Sequence, residues 1–220
     1  MVAGTDALLR GEGEYAAGQA RLPWPGLAMF VVLGGAVYGA CMGSFAMRPL
    51  QSFYSACKVP LLLGLTTAVC LPSFFVLNTI LGLRSDFRAA CRGVLASQAT
   101  VAVGLASLAP VAMVGYASSS DYRLAIVLNG VCFLAAALAG QCTLARHYTP
   151  LLSAEPKHHA PRALWGVLYV FVAVQLAWVL RPFVGDPALA PHFFREEAWS
   201  NAYVVVTRTV VELLGSMLPH

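Results

Sequence analysis

Charge is scarce in this sequence. Asp, Glu, Lys and Arg make up 11% of its 220 residues, against about 25% in an average soluble domain. That deficit excludes an ordinary soluble domain. Lysine is nearly absent, with only Lys58 and Lys157, and the basic residues are too dispersed to form a nucleic-acid face. Recognisable reaction chemistry is missing too. There is no GxSxG, phosphate-binding loop, dinucleotide fingerprint, HxxxH or HExxH spacing. No CxxC occurs among Cys41, Cys57, Cys70, Cys91, Cys132 and Cys142, so these read as reduced packing cysteines. His147, His158, His159 and His192 lack metal-ligand spacing, and adjacent His158-His159 reads as part of a solvated loop. The expectation is therefore no enzyme, no metal and no cofactor.

Long apolar runs are abundant. Hydrophobic residues make up 59% of the chain, and the mean hydropathy is +0.71. Five runs stand out: Leu27–Met47, Val59–Leu81, Val94–Ala117, Leu124–Ala145 and Ala163–Leu180. A helix of about 20 residues crosses the roughly 30 Å hydrocarbon core. In lipid the backbone must satisfy its own hydrogen bonds, so runs of this length are helices. The fold class read here is an all-α polytopic membrane helix bundle with five transmembrane helices and a C-terminal interfacial amphipathic helix. That last helix, Ala198–Leu218, carries Arg208 and Glu212 near its centre, which disfavours a sixth span because a central charge costs about 2.5–3.5 kcal/mol on insertion. Three parts follow: a polar arm over 1–25, a transmembrane domain over 26–182, and a turn with the amphipathic helix over 183–220.

Met1–Pro25 has no apolar core ahead of a cleavage site and does not read as a signal peptide. With five spans, eight basic residues fall on the side of the N-terminal arm and six on the other. The positive-inside rule then puts the N-terminus in the cytoplasm. The loop 82–93, with Arg84, Arg88 and Arg92, is the clearest inside signal. The preference for Arg over Lys, with abundant Ala, Gly and Leu, suggests a GC-rich bacterial genome and hence a bacterial inner membrane.

Several features within the spans have structural or functional meaning. Gly35, Gly39 and Gly43 share one helix face and let another backbone approach closely. With five helices to pack, an intramolecular contact is expected ahead of a homo-oligomer seam. Pro72 and Pro110 fall inside the second and third runs and are candidate kinks. Asn78, Ser97, Gln98, Ser107, Asn129, Gln141 and Gln175 are expected to bond across helices. No Asp, Glu, Lys, Arg or His lies in the middle of a run, which lowers the prospect of a proton- or ion-coupled transporter.

Polarity gathers instead where the first and fifth runs end, at Arg48-Pro49 and Arg181-Pro182. In the five-span layout both steps lie on one side. Arg48, Lys58, Arg181, Asp186 and Arg195, interleaved with aromatic residues, make a candidate polar cap. In that cap Arg48 or Arg181 would pair with Asp186 or bind a lipid phosphate. Phe193, Phe194 and Trp199 would anchor the tail back onto the helix ends.

The segments LQSFYSACKVPLLL (Leu50–Leu63), CLPSFFVLN (Cys70–Asn78), LRPFVGDP (Leu180–Pro187), FFRE (Phe193–Glu196) and NAY (Asn201–Tyr203), with Tyr38-Gly39, together resemble a group of uncharacterised bacterial membrane proteins. Some members carry a label implying an actin-binding motif. The layout also looks like that of the Yip family, whose eukaryotic members act with small GTPases in membrane traffic. The likeness to the Yip family lies in the five-span layout with a cytoplasmic N-terminus; neither resemblance supplies a catalytic residue. The expected function is a non-enzymatic scaffold or assembly subunit that packs with itself, a membrane-protein partner or membrane lipid. The alternative is a channel or transporter subunit for a small neutral or anionic solute, with a path near Pro72 and Pro110.

Overall fold

A computed structural model describes residues 2–10, 24–187 and 189–194. Six α-helices occupy them: α1 (Val2–Arg10), α2 (Trp24–Gly43), α3 (Pro49–Ile80), α4 (Phe87–Ser118), α5 (Tyr122–Ala154) and α6 (His159–Leu180). There is no strand among the described residues. Helices α2 to α6 are each long and apolar enough to cross a membrane. Their apolar windows are only 11% to 44% buried within the chain, so most of that apolar surface faces outward. Such a surface is stable against lipid and not against water. Arg195 and the stretch Ala198–Leu218 lie outside the described residues, as does most of the arm over 1–25.

Helices α3 to α6 are longer than their apolar runs, whereas α2 ends at Gly43, before its run does. Helix α3 has 32 residues, or about 48 Å at 1.5 Å per residue, well beyond a core of roughly 30 Å. Hydropathy marks only the part of a helix that lies in lipid, so segments expected as loops are helical. Residues 49–58 are the first turns of α3, 87–93 begin α4, and 146–154 extend α5. Pro49 starts α3, where its missing N–H costs nothing. Asp121 caps α5 by accepting from the backbone N–H of Arg123 at 2.8 Å. Gly82, at φ 76°, ends α3, and the Leu83 N–H bonds back to the Asn78 carbonyl at 2.8 Å.

The packing order is α5, α4, α2, α3, α6, with α6 leaning on α3. Close approach of α2 to its neighbours depends on glycine. A Cβ on Gly35 would sit 3.1 Å from the Pro60 nitrogen, and one on Gly43 would sit 2.6 Å from the Gln51 carbonyl oxygen. A Cβ on Gly39 would overlap the Ser55 carbonyl oxygen. The ladder therefore faces α3 of the same chain. Gly34, one residue off the ladder, seats against the Ala102 carbonyl of α4 in the same way. The turn that joins α2 to α3 is short enough to hold Ala46 and Met47 at φ 61° and 56°, a left-handed conformation that costs a non-glycine residue about 1–2 kcal/mol.

Two apolar clusters fill the bundle. One, around Tyr38, Val59, Leu105 and Ala136, lies toward the end where α2 finishes. The other, around Phe74, Val94, Tyr148 and Trp165, lies toward the opposite end. A smaller cluster docks α1 through Leu8 against Phe30 and Ala99, with Arg146 donating to the Leu9 carbonyl at 3.1 Å. The arm thus begins with a packed helix, because Leu8 gives it one apolar point to bury.

Pro72 and Pro110 both lie within unbroken helix and face outward, as does Ser73. Of the amides and hydroxyls expected to bridge helices, Asn129 and Gln98 do so: Tyr38 Oη donates to Asn129 Oδ1 at 2.8 Å and Tyr169 Oη to Gln98 Oε1 at 2.6 Å. Asn78 and Ser107 instead donate to carbonyls one turn back in their own helices, which satisfies their donors without a partner helix. His158 corrects the solvated-loop expectation. Its ring is fully buried, with Nε2 3.1 Å from Asp86 Oδ2, because the turn Pro156–His158 folds against the turn Arg84–Asp86.

Candidate polar cap at the Arg-Pro end

After α6 the chain leaves helical geometry at Arg181, whose peptide bond to Pro182 is cis. Among the described residues, 181–187 and 189–190 form no regular element, so their carbonyls need partners from elsewhere. Helix α3 supplies most of them. Gln51, Ser55 and Lys58 are spaced i, i+4, i+7 and share one helix face, and all three are fully buried. Gln51 Nε2 donates to the Pro182 and Phe183 carbonyls at 3.1 and 3.0 Å. Ser55 Oγ donates to the Phe183 carbonyl at 2.5 Å. Lys58 Nζ donates to the Pro182 carbonyl at 2.8 Å and lies 4.9 Å from the centre of the Phe193 ring.

The start of α3 and the start of α5 complete the hold. Arg48 Nη1 donates to the Asp186 carbonyl at 2.8 Å and to the Leu189 carbonyl at 2.6 Å. Tyr122 Oη donates to the Val184 carbonyl at 3.4 Å. Gly185 lies against Gln51, where a Cβ would be 2.8 Å from Cγ. The result is a strap, residues 181–187 with 189–190, folded over the end of the bundle. Charge-assisted bonds to carbonyls are worth about 1.5–3 kcal/mol each, so Arg48 and Lys58 are its strongest ties.

Of the expected cap residues, Arg48, Lys58, Arg181 and Asp186 are brought together, with a different bonding pattern, and Arg195 lies outside the described residues. Arg48 holds the main-chain oxygen of Asp186, which also accepts from the Leu189 N–H at 3.1 Å. Arg181 stacks its guanidinium on Trp178, 3.3 Å from the ring centre, a cation–π contact. Its place at the C-terminus of α6 also suits the helix dipole. Phe193 packs edge-on to Tyr54, with ring centres 5.4 Å apart. Gln51, Ser55 and Tyr122 were not anticipated. Their signal was present, since Gln51, Ser55 and Lys58 make one polar stripe at helical spacing, but it is legible only if 49–58 is read as helix.

Two cavities flank the strap. One, of about 470 Å³, lies between Arg48, Gln51, Tyr122, Asp186 and His192. The other, of about 550 Å³, runs beneath Arg181–Val184 between α5 and α6. Neither is lined by Pro72 or Pro110, near which the alternative reading places a solute path. No group of His, Cys, Asp and Glu suited to a metal ion occurs among the described residues.

Comparison with protein-family models, with curated proteins and with solved structures yields no match.

Proposed function

We propose that the protein is a non-enzymatic scaffold or assembly subunit of a bacterial inner membrane, with its N-terminus in the cytoplasm and the strap at the outer face. It works by presenting the folded strap to a membrane partner or lipid. One observation carries this reading: the buried Gln51, Ser55 and Lys58 of α3, with the half-buried Arg48 and Tyr122, converge on the strap and hold its backbone in one shape. A chain segment that needs so many side-chain donors to keep its form at a helix end presents a defined surface. The weakly buried α6 adds an apolar face beside it. Orientation rests on the excess of basic residues, eight against six, on the side of the arm. The alternative, a channel or transporter subunit, has less support, because Pro72, Ser73 and Pro110 face away from the bundle interior and Gln98 is engaged by Tyr169.

The test is mild-detergent purification of the full chain with mass-spectrometric identification of what co-purifies. Arg48→Gln removes two ties of the strap, and Arg88→Gln changes an exposed arginine at the other end. Arg48→Gln is expected to lose the co-purifying partner or lipid while Arg88→Gln keeps it. Equal retention by the two variants refutes the reading.

A further inference from the structure

The cavity of about 550 Å³ is a crevice between two helices that diverge. Helix α6 packs on α3, makes little contact with α5, and is joined to it only through the turn Pro156–His158 at the far end. Met42 and Leu62, both buried, close the crevice from within, and the strap roofs it with Pro182, Phe183 and Val184. Its sides are Ile126, Gly130 and Phe133 of α5 and Ala173, Val174 and Ala177 of α6. Ile126 and Val174 are also 47% and 44% exposed on the outside of the bundle, so the crevice opens sideways, into the space that hydrocarbon occupies around a spanning helix.

The small residues in the walls make this opening. Gly130 sits mid-helix, where glycine costs up to about 1 kcal/mol relative to alanine, and a Cβ there would touch nothing within 4 Å. Its missing side chain is not needed for helix packing, unlike that of Gly39. At the roofed end stands Arg181, its guanidinium stacked on Trp178. Around it the described residues of this end contribute four basic groups (Arg48, Lys58, Arg123, Arg181) against two carboxylates (Asp121, Asp186). A volume of this size falls within the roughly 300–1,000 Å³ range of small-molecule sites. Its chemistry is an apolar slot with a cation at the interfacial end, the complement of an acyl chain and a phosphate.

We propose that the crevice between α5 and α6 binds one acyl chain of an anionic phospholipid, with the lipid phosphate at Arg181. The proposal deepens the scaffold reading by naming the lipid that the strap end would hold, and it rests on that reading for its biological setting. The lipid fills the gap that α6 leaves on its α5 side and so braces α6 and the strap together.

The test uses the full chain in mild detergent, titrated with phosphatidylglycerol or phosphatidylcholine and read by native mass spectrometry and thermal unfolding. Wild type is expected to bind phosphatidylglycerol more tightly than phosphatidylcholine and to unfold at a higher temperature with it. Gly130→Phe, which fills the crevice from an open position, is expected to fold normally and lose at least about tenfold in phosphatidylglycerol affinity. Arg181→Gln is expected to abolish the preference between the two lipids. A photoreactive residue in place of Val174 is expected to cross-link phospholipid. Unchanged binding in Gly130→Phe, no headgroup preference in wild type, or cross-linking to a protein chain at position 174 each overturns the proposal. Gly130→Phe leaves every tie of the strap in place. If it keeps its lipid while Arg48→Gln loses its partner, the crevice inference fails and the scaffold reading stands.

Discussion

Replacing Gly39 by alanine puts a methyl group where α3 already runs. The new carbon would overlap the Ser55 carbonyl oxygen, with the Ser55 carbonyl carbon at 2.7 Å and Ala56 Cα at 2.9 Å. All three neighbours are main chain, so no side chain can rotate away. Ordinary van der Waals contact begins near 3.4 Å, and α2 and α3 must separate by several tenths of an ångström or more. Overpacking of this kind costs typically about 1–3 kcal/mol, and rigid backbone neighbours place Gly39 at the upper end. Better helix propensity returns up to about 1 kcal/mol, leaving a net loss near 2 kcal/mol. The effect also reaches the strap, because Ser55 is one of its donors.

Gly64→Ala is the matched control. It makes the same chemical change in the adjoining helix, but its Cβ meets nothing within 4 Å, so it is expected to be neutral or to stabilise by up to about 1 kcal/mol. Thermal or denaturant unfolding in mild detergent, with light scattering to record the oligomeric state, separates the two. A Gly39→Ala protein as stable as wild type refutes the intramolecular ladder. A change of oligomeric state at unchanged monomer stability assigns the glycines to a contact between chains instead.

Tyr38→Phe removes the donor to Asn129 Oδ1 from a fully buried site. It is expected to cost about 1–3 kcal/mol in the same unfolding assay, and an unchanged midpoint would mean that Asn129 finds another donor. Asp121→Ala removes the acceptor for the Arg123 N–H at the start of α5. A loss of about 1 kcal/mol is expected, together with faster amide exchange confined to the first turn of α5; exchange that stays at the wild-type rate counts against the cap.

Much of this architecture is written in the residue pattern. Each of the five apolar runs lies largely within a spanning helix, because only a helix satisfies its backbone in lipid. The scarcity of ionisable groups, the glycine ladder and the two Arg-Pro steps are local patterns with direct physical meaning. The ends of the helices are less legible. Pro49–Lys58 mixes polar and aromatic residues, so hydropathy reads it as loop, whereas packing of its Gln51–Ser55–Lys58 face on the strap makes it helix.

What the sequence determined by itself is the class of environment and the element type. Composition and run length depend on each residue's own transfer energy and on chain continuity, and neither needs to know what lies across space. The tertiary structure alone decided the partners. It set Gly35, Gly39 and Gly43 against α3 of the same chain, turned Pro72 and Pro110 outward, and buried His158. It joined Arg48 to the carbonyls of Asp186 and Leu189, some 140 residues away along the chain. It also opened the crevice between α5 and α6, because α6 found its packing face on α3. Which donor meets which carbonyl depends on the relative placement of helices, and that placement is the joint outcome of many contacts.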